Sequence, residues 1–156
     1  MLDRFGIRGG HIETIHSFTN DQNLIDNYHS KPRRGRSAVL NMVITETGAA
    51  KAVLKCFPQL KGCLTANSIR VPTPDVSLAI LNLQLECEGT TVAEVNGALR
   101  HAALATELIK QIEYSSNDEA VSSDFVGSRA ASIVDAHSTS VRGNNVRITQ
   151  GPEQVY

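Results

Sequence analysis

The segment Ser77-Leu-Ala-Ile-Leu-Asn-Leu-Gln-Leu-Glu86 decides the fold, because its alternating pattern predicts one long strand. One face of this strand carries Ser77, an alanine and three leucines. After Glu86 the spacing of the apolar residues changes from every second residue to that of a helix. Thr91-Val-Ala-Glu94 is a capping box, and Val92, Val95 and the apolar residues that follow have helical spacing. A strand is therefore followed directly by a capped helix.

The rest of the chain interleaves short strands and helices without a regular βαβ rhythm. Further strands are predicted at 12–18, 42–45, 68–71, 109–114 and 121–125, a second helix at 47–57, and a hairpin at 132–147. Residues 18–39 form a long ordered loop, and loops of this length are commonly functional. The pattern predicts an α+β fold rather than a doubly wound one.

Composition limits the classes of function. The 156 residues, 41% of them hydrophobic, suit a single domain. A formal net charge of -1 gives no field that would attract nucleic acid or a membrane surface. Three irregularly spaced cysteines form no disulfide framework or metal motif and indicate a reducing compartment. With no signal peptide, membrane-spanning run or glycine-rich nucleotide loop, we expect a cytoplasmic protein without a nucleotide-binding domain.

His16 is the best candidate for chemistry. It ends an apolar, β-branched run and is followed by Thr19 and Asp21. An imidazole fixed at a strand end beside polar groups suits proton transfer next to a polar substrate. His101 and His137 lie in helical and hairpin patterns and are interpreted as structural.

Three features could bind an anion. Thr47 and Gly48 open a helix whose free N–H groups favour a phosphate, although an ordinary N-cap is the alternative. The run Lys31-Pro-Arg-Arg-Gly-Arg36 supplies guanidinium groups, or is simply solvated surface. Arg70 sits at an apolar strand end, so its charge needs either a salt-bridge partner or a ligand.

These pieces together resemble one known family. The chain from about Phe5 to about Val146 is similar to the catalytic domain of phosphorylating, NAD-dependent glyceraldehyde-3-phosphate dehydrogenase of the bacterial type. The resemblance is carried by Ile15-His-Ser-Phe-Thr-Asn-Asp-Gln22, Arg33-Arg-Gly-Arg36, Thr47-Gly-Ala-Ala-Lys51, Arg70-Val-Pro-Thr-Pro74 and Val121-Ser-Ser-Asp-Phe125. It assigns residues 1–150 to that domain and leaves 151–156 as a divergent tail.

The resemblance implies a fold and a set of site residues. It implies a mixed, largely antiparallel sheet with helices on one face, and an 18–39 segment like the S-loop that contacts a neighbouring subunit in a homo-oligomer. It makes His16 the catalytic base. The substrate's phosphate would be held by Thr19, Asp21 and Arg70, and inorganic phosphate by Arg36, Thr47 and Gly48.

The chain also departs from the family. The nucleophilic cysteine motif is not in this sequence, and Cys56, Cys63 and Cys87 match other residue types. The tryptophan motif near the end of the sheet is missing, and Asp75 stands where an asparagine is usual. A base acts as a unit with its nucleophile, so we expect this chain alone to be inactive and to bind no NAD.

Two alternatives to a dehydrogenase domain stay open at this point. The first is a non-enzymatic module that binds a phosphorylated ligand or inorganic phosphate, or that joins full-length homologues. The second is a relative of erythrose-4-phosphate dehydrogenase, although Thr47-Gly-Ala-Ala-Lys51 favours the triose enzyme.

Overall fold

A computed structural model of the protein describes residues 1–151, and the predicted tail beyond Gly151 lies outside them. The strands are β1 (Ile7–Ser17), β2 (Val43–Thr45), β3 (Leu64–Val71), β4 (Leu78–Leu85), β5 (Ile112–Ser115), β6 (Ser132–Arg142) and β7 (Asn145–Gly151). The helices are α1 (Leu2–Phe5), α2 (Ala49–Cys56) and α3 (Val92–Ala105), with 3-10 turns at Pro32–Gly35, Pro58–Leu60, Glu107–Lys110 and Ser122–Phe125. The α+β prediction is confirmed.

All seven strands form one sheet in the order β2-β3-β1-β4-β7-β6-β5. β1 pairs with β3 in parallel, as β5 does with β6, and the other neighbours are antiparallel. The sheet is therefore mixed and largely antiparallel, as the resemblance implied.

Helices α2 and α3 cover the same face of this sheet. Ile12 of β1 stands opposite Leu81 of β4, which in turn stands opposite Ile148 of β7. Val95 of α3 packs on this apolar face within a core of buried residues: Phe5, Leu83, Leu85, Val134, Val146 and Ile148. Ala52 of α2 lines a cleft with Ile12 and Leu81 on the same face.

Three predicted elements are confirmed with good accuracy. β4 has nearly the predicted length, and the capping box forms because the Glu94 N–H donates to Thr91 Oγ1 and the Thr91 N–H donates to Glu94 Oε2. β6 and β7 form the predicted hairpin. Its turn needs Gly143, whose φ of 61° is a region that favours glycine.

β1 starts five residues earlier than predicted. Gly9 and Gly10 interrupt the β-branched pattern by which a strand is predicted. A Cβ on Gly10 would lie 2.5 Å from the carbonyl oxygen of Asn82 on β4. The glycine therefore lets the two strands approach. β3 likewise begins at Leu64 rather than Ser68.

Other predictions were wrong. The strand predicted at 109–114 begins only at Ile112, because Glu107–Lys110 form a 3-10 turn. The strand predicted at 121–125 is instead a 3-10 turn at Ser122–Phe125, because the Asp124 carboxylate accepts the Val121 N–H at 2.8 Å and favours a tight turn. Val92 was expected on the buried face of its helix but is 39% exposed, whereas Val95 is 0% exposed. Val92 is the first residue of α3, before the turn that packs on the sheet. None of the helices among residues 1–151 is long and apolar enough to cross a membrane.

Candidate functional site

The site begins with the pairing of two parallel strands. Parallel strands bring their carboxyl ends to the same edge of a sheet. Here the register places His16 of β1 directly opposite Arg70 of β3. Arg70 Nη1 also donates to the Ser17 carbonyl oxygen at 3.1 Å. A base and a guanidinium group are thus held side by side at one strand end.

His16 has a second neighbour on its other side. β4 runs antiparallel to β1 with Ile15 opposite Leu78, so the next residue, Ser77, comes opposite His16. His16 Nδ1 and Ser77 Oγ are 2.9 Å apart in a hydrogen bond. The two residues are 7% and 2% exposed. The imidazole is therefore fixed between two strands and largely shielded from water.

The connection from β3 to β4 passes over the end of β1, since β1 lies between them. It must span two strand spacings, about 10 Å. It is bonded to the residue after β1, because the Phe18 N–H donates to the Thr73 carbonyl oxygen at 3.3 Å. Val76 in this connection has a φ of 67°. A β-branched residue in that region costs roughly 1–3 kcal/mol. The Asp75 carboxylate accepts the Val76 N–H at 2.8 Å and supports this conformation.

The surroundings of His16 keep it neutral. Burial, and secondarily the positive charge of Arg70, lower the pKa of His16 below its ordinary value. The charged form is disfavoured in both cases, so the ring carries a lone pair at neutral pH. A neutral buried imidazole is in the state that a general base requires.

Arg34 completes the charged cluster. Its guanidinium forms an ion pair with Asp21, and its Nη2 donates to Thr45 Oγ1 at 2.9 Å. The hydrogen bond from Arg34 is the main cause that lowers the pKa of Asp21. Burial lowers the pKa of Arg70. The positive charge of Arg34 lowers it further, and the negative charge of Asp21 raises it. Two guanidinium groups beside one carboxylate leave a net positive site.

Arg36, which the resemblance groups with Thr47 as a phosphate ligand, lies apart from this cluster. Its Nε bonds to Asp26 at 3.1 Å on the exposed side of the loop. The 3-10 turn Pro32–Gly35 separates the two arginines and turns Arg34 toward Thr45. Arg34 is therefore the arginine that faces the predicted residues.

The other predicted residues are close in sequence to Asp21 and Thr45, the two partners of Arg34. Thr19 begins a turn closed by the Gln22 N–H to the Thr19 carbonyl oxygen, and this turn presents Asp21. Thr47 stands two residues after the Thr45 that bonds Arg34. Its Oγ1 accepts the Ala49 N–H at 3.1 Å, and Gly48 is the N-cap of α2. Thr47 was the predicted N-cap, so the helix begins one residue later than predicted, and Thr47 accepts the first helical N–H from the position before the N-cap.

Ser77 was overlooked as a site residue, although the sequence carried a signal for it. It starts the apolar face of the 77–86 strand, in phase with Ala79 and Leu81. A serine in phase with a buried face needs a hydrogen-bond partner, and that partner is His16. No comparable pattern separates Arg34 from Arg36 in the sequence.

Cys63 and Cys87 lie far from His16, and Cys56 is an exposed residue at the end of α2. The Cys63 carbonyl oxygen accepts the Gly10 N–H at the start of β1 and β3, and the Cys87 N–H donates to the Phe5 carbonyl oxygen at the same end. Cys63 is seven residues before Arg70, or about 23 Å along a strand. Neither thiol can reach His16.

A cavity of about 360 Å³ borders Ser77 but is separate from this site. Its walls include Ile15, Leu78 and Phe125, and Ile15 points to the sheet face opposite His16. The cavity is mostly apolar, so the charged cluster is the better candidate for binding a phosphorylated ligand.

The fold and the cluster define an α+β domain in which a buried histidine adjoins a positively charged pair of arginines. A family model described as "Glyceraldehyde 3-phosphate dehydrogenase, C-terminal domain" matches residues 1–150. The chain belongs to the glyceraldehyde-3-phosphate dehydrogenase family, and the part matched is the C-terminal domain.

Individual relatives agree with this assignment. A "Glyceraldehyde-3-phosphate dehydrogenase-like protein" of Pseudomonas aeruginosa (strain UCBPP-PA14) is 60% identical over 92% of this chain and 31% of its own length. "Glyceraldehyde-3-phosphate dehydrogenase 2" of Nostoc sp. is 46% identical over 94% of the chain and 42% of the relative. "Glyceraldehyde-3-phosphate dehydrogenase 1" of Bacillus subtilis is 45% identical over 95% and 44%. The chain thus spans less than half the length of these relatives.

The lowered pKa of His16 predicts a pH dependence of stability. The unfolded chain binds the His16 proton near the ordinary pKa of 6.5, and the folded chain binds it at lower pH. The free energy of unfolding should therefore fall as the pH drops below about 6.5 and level off below the folded pKa. Urea unfolding between about pH 7.5 and 5.5 measures this slope.

The matched variants are His16→Gln and His101→Gln, the latter at an exposed position on α3. We expect His16→Gln to reduce the slope and His101→Gln to leave it unchanged. Equal slopes in the wild type and His16→Gln would refute the assignment.

Proposed function

We propose that this chain is the phosphate-binding and base-carrying domain of a glyceraldehyde-3-phosphate dehydrogenase-type protein. The observation that carries the proposal is the register of His16 with Arg70, with Arg34 and Asp21 beside them. The family reaction is the NAD-dependent oxidative phosphorylation of glyceraldehyde 3-phosphate. In that reaction His16 would take up and return a proton next to a bound phosphorylated aldehyde.

Two neighbouring phosphate positions follow from the cluster. Arg70, with Thr19 and Asp21, would hold the phosphate of the substrate. Thr47, Gly48 and the start of α2 would hold inorganic phosphate, and Arg34 supplies the guanidinium that the sequence assigned to Arg36. The support is the bond from Arg34 to Thr45, which anchors that guanidinium next to the Thr47 segment.

The ion pair of Arg34 with Asp21 explains how an anion could be accepted without rearrangement. The Asp21 carboxylate already holds the guanidinium in place. A phosphate oxygen could take further N–H groups of Arg34 and Arg70, and bonds of this charge-assisted type are the strong ones. Asp21 would then orient the arginines and prevent two positive groups from repelling each other.

The described residues do not fit NAD. Dinucleotide binding requires a strand, a glycine-rich turn and a helix in succession. Here β1 runs into the irregular 18–39 loop, and β3 runs into the proline-containing connection to β4. We therefore limit the chemistry of this chain to proton transfer at His16 and phosphate binding at the arginines. With Cys56, Cys63 and Cys87 all free, a reducing cytoplasmic location is the natural setting.

Phosphate binding is the direct test of the proposed site. We expect saturable heat when inorganic phosphate or glyceraldehyde 3-phosphate is titrated into the purified chain. Arg34→Ala or Arg70→Ala removes a charge-assisted hydrogen bond and should weaken binding roughly 10- to 100-fold.

Arg36→Ala is the matched control, because Arg36 bonds to Asp26 on the exposed side of the loop. It should bind phosphate like the wild type. A loss with Arg36→Ala and none with Arg34→Ala would restore the original assignment, and no saturable heat at all would refute the phosphate sites.

Activity gives a second test. Thiolate formation needs the sulfur within hydrogen-bond reach of the base. Cys63 and Cys87 lie at the opposite end of the strands from His16, and Cys56 is exposed at the end of α2. The purified chain should show no NAD-dependent oxidation of glyceraldehyde 3-phosphate. Clear turnover that disappears in His16→Gln would contradict this expectation.

A second candidate function is assembly with another family member through the 18–39 loop and the residues just after it. Leu24, Ile25, Tyr28, Leu40 and Met42 are exposed apolar side chains of this region. Exposed apolar side chains grouped in this way mark an interaction surface.

Mixing the chain with a full-length homologue and sizing the mixture tests the assembly function. We expect a mixed species that the double change Tyr28→Ser and Leu40→Ser abolishes, whereas Leu104→Ser, at an exposed position on α3, should leave it intact. Elution of two unmixed species would remove this candidate function.

A further inference from the structure

The 18–39 loop contains no strand and one short 3-10 turn, Pro32–Gly35, so hydrogen bonds between its own segments must hold it in shape. Arg34 lies inside that turn, where its N–H donates to the Lys31 carbonyl oxygen at 2.9 Å. This bond closes the turn but does not tie it to the rest of the loop. The direction in which the Arg34 side chain leaves the loop therefore depends on contacts from outside the turn.

Two backbone bonds connect the turn to the earlier part of the loop. The Asn23 N–H donates to the Arg34 carbonyl oxygen at 3.3 Å, and the Asn27 N–H donates to the Gly35 carbonyl oxygen at 2.9 Å. A third bond, from the Ala38 N–H to the Asn23 carbonyl oxygen at 2.9 Å, holds the segment after the turn. Asn23 is thus bonded both to Arg34 and to the chain that follows it.

The side chain of Asn23 links the two tethers of the turn. Its Nδ2 donates to the Asn27 carbonyl oxygen at 3.1 Å and to the Tyr28 carbonyl oxygen at 3.2 Å. A side-chain amide carries two N–H groups, so one nitrogen can serve both carbonyl oxygens. Because the Asn27 N–H in turn holds Gly35, the residue after Arg34, the Asn23 amide supports the second tether as well as the first.

We propose that Asn23 is a positioning residue that fixes the backbone of the 3-10 turn, so that the Arg34 guanidinium is in place before an anion binds. This inference rests on the proposed role of Arg34 in phosphate binding. A group that is already held in its bound geometry loses less conformational freedom when the ligand arrives, which increases affinity. Asn23 acts through Arg34 and adds no charge to the site.

The side-chain bonds of Arg34 are not sufficient for this purpose. Its ion-pair partner Asp21 is 54% exposed and belongs to the same loop, so the pair could move together as one unit. Thr45, the second partner, belongs to β2 and is fixed by the sheet. A shift of the turn would therefore separate Arg34 from Thr45 while the ion pair stays intact. The tether through Asn23 keeps both bonds at the same time.

The order of the turn in the free protein is the first test. Relaxation of the backbone 15N nuclei of Arg34 and Gly35 should give order parameters near the ~0.85 of a rigid backbone, and Asn23→Ala should lower both toward about 0.6. Asn23→Leu keeps the bulk but has no donor and should act like Asn23→Ala. Asn144→Ala is the matched control, because Asn144 Nδ2 donates to the Leu85 carbonyl oxygen at the opposite end of the sheet. It should leave the turn ordered.

The second test is a double-mutant cycle measured with inorganic phosphate. Asn23→Ala should weaken phosphate binding roughly 3- to 10-fold, the effect of about one neutral hydrogen bond. Because Asn23 acts through Arg34, adding Asn23→Ala to Arg34→Ala should weaken binding no further. A merely structural role would cause the same loss in both backgrounds.

Unchanged order of the turn in Asn23→Ala, or equal losses of affinity in the two backgrounds, would overturn the proposal. An unchanged amide signal of Val95 in the core verifies that each variant is folded. If the wild type binds no phosphate while the turn loses its order in Asn23→Ala, the proposed function fails and Asn23 stands as the tether of Arg34. If phosphate binds and the order of the turn does not depend on Asn23, the role of Asn23 fails alone.

Discussion

The parallel pairing of β1 with β3 is the constraint on which the site depends. A slip of one residue in this register would turn His16 to the opposite face of the sheet, away from Arg70. Parallel pairing also requires a long connection between the strands. Here that connection contains the loop with Asp21 and Arg34, β2 and helix α2. The same topological requirement that aligns the base thus supplies the groups proposed to bind phosphate.

Arg70 acts in two ways that limit each other. Its charge attracts an anion and also keeps His16 neutral, but its half-buried position makes that charge costly. Asp21 offsets part of the cost, while Arg34 adds to it. The proposed binding of a phosphate dianion would relieve both guanidinium groups at once.

Residue patterns predicted the elements whose signals are local. The 77–86 alternation, the capping box at Thr91 and the turn at Gly143 belong to this group. The start of β1 was missed because Gly9 and Gly10 are there for close strand approach, which a single strand cannot reveal. The roles of Asp21 and Arg70 came from family resemblance rather than from spacing. The choice of Arg34 over Arg36 depends on the 3-10 turn that begins at Pro32. The positive φ of Val76 depends on a connection that crosses β1. Neither feature can be predicted from neighbouring residues in the sequence.

The crossing over β1 has a consequence for how the chain folds. The bonds that fix the end of β1 link Ser17 to Arg70 and His16 to Ser77, which are 53 and 61 residues apart. Such contacts are slow to form because a long loop must close first. At a synthesis rate of about 5–20 residues per second, β1 waits several seconds for either neighbour. Of the strands β1 to β7, the one that carries His16 is made before both of its neighbours, so neither of its edges can pair while it is being made.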